Sequence, residues 1–204
     1  GSAMGYGKQG QGQAAVDKRR LEAVDQLWES VNALGQARGI ATMVSVVKFE
    51  YTAERAERDP KVREMFAMIG KDFDIKSMNL TGANKARPFV TPMVWAVYSA
   101  LAAVVMHGVM RWHIIKSGIG AKDFSDNEAV AKLIKTALPH YAEYIDKHGP
   151  TVYHKAMEAL DERLLAELQG MLTGADVGKA NIDQAAEILR QASDVMKKSN
   201  PIAA

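Results

Sequence analysis

Between Pro88 and Met110 the chain runs for 23 residues without an Asp, Glu, Lys or Arg. A helix that is apolar around its whole circumference has two possible surroundings: hydrocarbon, or protein on every side. The run is long enough for the first, since roughly 20 apolar residues cross a bilayer. Its content favours the second. Pro92 sits near its start, Tyr98, Ser99, His107 and Gly108 interrupt it, and much of the remainder is Ala. An ionisable side chain such as His107 is expensive at membrane depth. Lys85 and Arg87 before the run and Arg111 and Lys116 after it make both flanks basic, so the charge asymmetry that orients a span is missing. No signal-peptide pattern precedes it. The run therefore reads as the buried central helix of a helical protein, and membrane association is not expected.

The rest of the chain supplies helices to surround it. Leu21, Val24, Leu27, Trp28, Val31 and Leu34 recur at three- and four-residue steps and make one apolar face. Gly35 and Gly39 read as the end of that helix. Ile40 to Tyr51 is apolar and continues into Ala-Glu-Arg repeats; its β-branched centre would suit a strand, but the continuation predicts a helix. Asp59-Pro60 and Thr91-Pro92 are paired start signals, a side-chain cap followed by proline at the first helical position. The first opens a short helix carrying Val62, Met65, Phe66 and Ile69, closed by Gly70. The second launches the central helix, which Gly118 and Gly120 end. Residues 71–88 form the longest irregular stretch.

Ser125 to Glu128 has the spacing of a capping box. Pro139 either kinks the helix that follows or opens a new turn. Tyr153, Met157, Leu160, Leu164, Leu168 and Met171 stripe the next helix, and Gly170, Gly174 and Gly178 loosen the connection beyond it. Asn181 with Gln184 resembles a second capping box, with Ile182, Ala185, Ala186, Leu189, Ala192 and Met196 lining the last helix. The expected fold is all-α, a six- to seven-helix bundle around the buried central helix. Residues 1–13, which open on a Gly-Ser-Ala-Met cloning remnant and are rich in Gly and Gln, read as a tag and flexible lead-in. Residues 14–198 read as one helical domain, and 199–204 as a tail.

Composition narrows the function classes. There is no Cys, which removes disulfides, thiol nucleophiles and Cys-based zinc sites and fits a reducing cytoplasm. A net charge of +2, from 26 basic and 24 acidic residues, leaves no basic stripe of the kind that binds nucleic acid. His140, His148 and His154 are the densest histidine group, but their spacings of eight and six differ from the i, i+4 pairing of helical metal sites, so no metal or cofactor is expected. His107 and His113, six apart, lie on opposite faces of the central helix. No nucleophile elbow surrounds Ser99 or Tyr98, and no catalytic residue is assigned. The glycines of the opening segment and of Ser117 to Asp123 follow no strand and cradle no phosphate. Trp95, Tyr98 and His107 are the candidates for a ligand pocket beside the central helix. Trp28, on the apolar face of the first helix, is the candidate interface residue.

The stretches RRLEAVDQLWESVNAL and FVTPMVWAVYSALAAVVMHGVM resemble a loose group of uncharacterised bacterial helical proteins. In that group an EAVDxLW helix opens the domain and a helix like Pro92-Met93-Val94-Trp95-Ala96-Val97-Tyr98-Ser99-Ala100 forms its middle. A coiled-coil or membrane-proximal segment often comes before it, where this chain has only the Gly/Gln lead-in. The resemblance implies bacterial origin and a mobile-element or defence setting, and no catalytic residues. The expected function is a protein-interaction or self-assembly domain, its 11 methionines giving adaptable packing. The alternative is a sensor or enzyme with its ligand beside the central helix.

Overall fold

The computed structural model describes residues 3–78, 80–122, 124, 127–174 and 178–199. Among them the fold is all-α, with nine helices and no strand: α1 (Ala3–Ala33), α2 (Gly35–Ser45), α3 (Phe49–Arg58), α4 (Pro60–Ile69), α5 (Pro92–Ser117), α6 (Glu128–Ala137), α7 (Ala142–His148), α8 (Tyr153–Leu172) and α9 (Lys179–Lys198). Short 3-10 turns at Ile75–Ser77, Gly82–Lys85 and Arg87–Phe89 occupy the stretch predicted as irregular.

The central helix is where the apolar run placed it. Thr91 Oγ1 accepts from the Val94 amide at 3.2 Å, Pro92 takes the first position, and Gly118 closes the helix at φ 65°. The helix is long and apolar enough to cross a membrane, yet 83% of its most apolar window is covered by the fold. Its most extensive neighbour is α9, followed by α2 and α8, with α4, α3 and α6 completing the jacket. Two glycines set how closely that jacket approaches. A Cβ on Gly108 would fall 2.5 Å from Ala41 Cβ, and one on Gly70 would fall 2.4 Å from Trp112 Cζ2. α2 thus lies against the α5 backbone, and the Trp112 indole lies against the end of α4, its Nε1 donating to Phe66 O at 2.7 Å.

The nine helices exceed the six or seven expected, and two breaks account for the difference. The chain leaves the helix at Val46 and re-enters at Phe49, which is 1% exposed and drawn into the core. No Gly or Pro marks that break; tertiary burial makes it. Pro139 opens a 3-10 turn and α7 follows as a separate helix, until Gly149 at φ 61° ends it. Gly35 and Gly39 do not close the first helix: α2 starts at Gly35 and runs through Gly39 after a small turn at Leu34. The predicted lead-in is helical from Ala3 onward. A helix nucleated by packing from Ala23 to Leu34 gains one backbone bond for each residue it adds, and the extension continues with residues 7–18 exposed. Leu21, expected on the packed face, is consequently 55% exposed.

Other local signals fare unevenly. Asp59 caps α4 by accepting from the Lys61 amide at 3.0 Å, and Gly70 ends it. Met65 and Ile69, assigned to its packed side, are exposed, and Phe66 alone is fully buried. The capping box at Ser125 and Asp126 lies outside the described residues; α6 begins at Glu128. α9 begins at Lys179 behind Gly178, so Asn181 sits inside the helix and not at its cap. Its packed face is rotated toward Ile188, Gln191 and Val195, which leaves Ile182 exposed. Arg163 ties the far side of the bundle together, donating to Ala137 O at the end of α6 and to Gln184 Oε1 of α9 at 3.3 Å.

Candidate functional site

The three pocket candidates do not share a cavity. Trp95 and His107 are twelve residues apart on one helix, roughly 18 Å along its axis. Trp95 is half-buried at the α5 N-terminus and lines an open groove of about 320 Å³ with Arg87, Pro92, Ile182 and Leu189. The Arg87 guanidinium lies 5.0 Å from its ring centre. Tyr98 packs against Trp95 at 5.5 Å between ring centres but is buried and does not line the groove. Burial raises the Tyr98 pKa, and its hydroxyl has no hydrogen-bond partner. Ser99 donates to Trp95 O at 2.7 Å, a bond internal to the helix. Trp28 is half-buried and packs against the core.

His107 belongs to a different neighbourhood, which sequence reasoning did not assemble. Its ring stacks on Phe124 at 5.0 Å, and its Nε2 lies 3.3 Å from Asn127 Oδ1. One turn on, Arg111 donates from Nη2 to the same Asn127 oxygen. The Arg111 guanidinium also sits 4.4 Å from the centre of the Phe49 ring. Arg111 is 3% exposed, and its Nε has no partner. Burial and the adjacent Arg111 charge hold the His107 pKa down to about 3, so the imidazole is neutral at pH 7. Burial pushes the nearby Tyr153 phenol up to about 12. The group therefore carries a single charge, the guanidinium, which burial makes easier to deprotonate while the Glu50 carboxylate opposes that shift. A narrow cleft runs beside it, lined by Ala41, Ser45, Val104, Arg111, Tyr153 and Met157. Its interior volume is about 10 Å³, room for one water-sized body.

The sequence held a signal for this pairing: His107 and Arg111 are four apart, hence on one helical face. Arg111 is the first charge after the apolar run and so reads as its flank. Asn127 and Phe124 arrive from the following connection, and no local pattern announces them. The other histidines scatter. His140 and His148 are exposed and pack edge-on against Tyr141 and Tyr144 at 4.8 and 4.7 Å. His113 is half-buried, its pKa lowered by burial and then by Lys116. Among the described residues no group of three or more His, Asp or Glu is placed to hold a metal ion.

A second surface is apolar and open. A groove of about 330 Å³ is lined by Ile40 and Met43 of α2, Met68 and Ile69 of α4, and Phe73 beyond it; Ile40 is buried and Phe73 packs on Trp112, while Met43, Met68 and Ile69 are exposed. Met68 is 74% exposed, Met43 47%, and Met65 beside them 54%. Lys71 and Asp72 lie at its edge. Unbranched thioethers adapt to irregular partners, and open apolar side chains grouped in one place mark interaction surfaces more often than scattered ones do. Met43 and Met68 do not stand out in the sequence, because each falls within an ordinary amphipathic pattern, and Met65 reads there as part of the packed side of its helix.

Scanned against protein-family models, curated protein sequences and solved structures, the chain finds no match in any of the three.

Proposed function

We propose that this chain is a helical interaction domain that self-assembles through the outer face of α2 and α4, in a cytoplasmic setting. The observation that carries the reading is the open group of Met43, Met68 and Ile69 around one groove, with Met65 exposed three residues before Met68 on the same helix. Burying such side chains removes apolar area from water, each buried methylene contributing roughly 0.8 kcal/mol. A second copy of the chain supplies the same flexible thioethers, and an isologous contact of that kind closes as a dimer. Cysteine is absent from the chain, in keeping with a reducing compartment. The near-balanced charge favours a protein surface over nucleic acid as the partner.

Site-specific photocrosslinking tests the assignment. A photoreactive residue at position 68 should give a covalent dimer on irradiation, and the same residue at the exposed Lys147 of α7 should not. Equal crosslinking from both positions, or none from position 68, would overturn the proposal.

A further inference from the structure

The chain has no cysteine, so its only sulfur is carried by 11 methionines. Among those with described side chains the surroundings divide sharply. Met93, Met110 and Met157 are 1%, 7% and 2% exposed. Met78, Met106, Met171 and Met196 are half-buried. The exposed ones are Met43, Met65 and Met68, at 47%, 54% and 74%, and all three stand on α2 and α4 at one surface. Oxidation of a thioether follows the access of an oxidant to the sulfur, and no thiol is present to compete for it.

We propose that Met43, Met65 and Met68 form an oxidation site through which hydrogen peroxide dissolves the assembly, the second half of this inference resting on the self-assembly proposed above. The Sδ lone pair attacks one peroxide oxygen, and an S–O bond forms as the O–O bond breaks. The proton on the transferred oxygen passes to the departing hydroxide, which leaves as water. Sulfur is oxidised by two electrons and the peroxide is reduced by two. An apolar thioether thereby becomes a polar sulfoxide. Ile40, Ile69 and Phe73 around it offer the new oxygen no side-chain donor. Buried against a second copy without a donor, each such oxygen should weaken association roughly tenfold. Association covers the same sulfurs, so peroxide acts on the free chain and draws the equilibrium toward it.

Peroxide treatment of the intact chain, followed by peptide mass spectrometry and sedimentation, tests the inference. At concentrations where the chain is free, Met68, Met65 and Met43 should gain oxygen before the buried and half-buried methionines. Where the chain associates, their oxidation should slow. The oxidised chain should show a dissociation constant raised about tenfold or more, and methionine sulfoxide reductases with a thiol reductant should restore the parent value. The variant Met43→Leu/Met65→Leu/Met68→Leu keeps apolar volume without an oxidisable sulfur at these positions, and its assembly should ignore peroxide. Earlier oxidation of any buried or half-buried methionine would overturn the site. An oxidised chain that associates as the parent does, or a leucine variant that peroxide dissociates equally, would overturn the link to assembly. A parent that is a single chain before peroxide is added would contradict self-assembly itself and the link with it, while the mapping would still decide the site.

Discussion

The helices α2 and α4 each have two sides, and the two sides are built on opposite rules. Toward α5, Ala41 meets Gly108 and Gly70 meets the Trp112 ring with no space for one further carbon. Away from α5, Met43 and Met68 extend into an open groove with nothing over them. The inner side is fixed by shape: close-packed interiors register the addition or loss of a single methylene. The outer side is fixed by nothing within the chain. Apolar side chains that contribute nothing to the fold in one copy are free to serve contact with another. Stability should therefore respond to changes on the inner side, and association to changes on the outer side.

The largest effect should come from emptying the inner side. Trp112→Ala removes a fully buried ring, its bond to Phe66 O and its edge-on contact with Phe73. Urea unfolding should show a loss of about 3–5 kcal/mol. A loss below 1 kcal/mol would mean that the α4 seam is not tight. Overfilling comes next. Gly108→Val places carbon atoms where Ala41 already stands, and should cost about 3 kcal/mol, the upper end of the usual range for overpacking. If Gly108→Val melts with the parent chain, α2 does not lie against the α5 backbone.

A smaller effect should appear with pH. The His107 pKa is about 3 in the fold, against about 6.5 unfolded. Between those values the unfolded chain binds a proton that the folded chain refuses, so stability rises with pH across the window and is lost as pH falls from 6.5 toward 3. From pH 7 to pH 5 this one group should account for a loss of about 2 kcal/mol. His107→Phe keeps a ring against Phe124 and should remove that part of the slope. Parallel stability curves for the two proteins would show that His107 is not held neutral. The smallest effect belongs to the outer side: at concentrations low enough for the parent to be a single chain, Met43→Glu with Met68→Glu should leave folding stability within about 0.5 kcal/mol.

Those parts of the fold that rest on local chemistry were legible in the sequence. Thr91-Pro92, Asp59-Pro60 and Gly118 announce helix ends because a cap, a fixed φ or a left-handed backbone is each the property of one residue type. The buried central helix was legible because an uncharged run of that length has few places to go. The break before Phe49 was not, since a buried ring makes it and no turn residue does. The rotated face of α9 escaped for a related reason: Ile188 and Val195 compete with Ile182 and Leu189 as a stripe, and only contact with α5 selects between them. The candidate sites were least legible. Trp95, Tyr98 and His107 share a helix but no cavity, while the Arg111 group joins residues 49, 111, 127 and 153, brought together by the fold alone.

Sedimentation equilibrium of the parent chain and of the Met43→Glu/Met68→Glu variant tests the central claim most directly. The parent should sediment as a concentration-dependent multiple of 22.3 kDa, and the variant as a single folded chain of that mass whose melting temperature no longer depends on concentration. A parent that stays at 22.3 kDa at every concentration, or a variant that associates as the parent does, would contradict the claim that the outer face of α2 and α4 is built for a second copy.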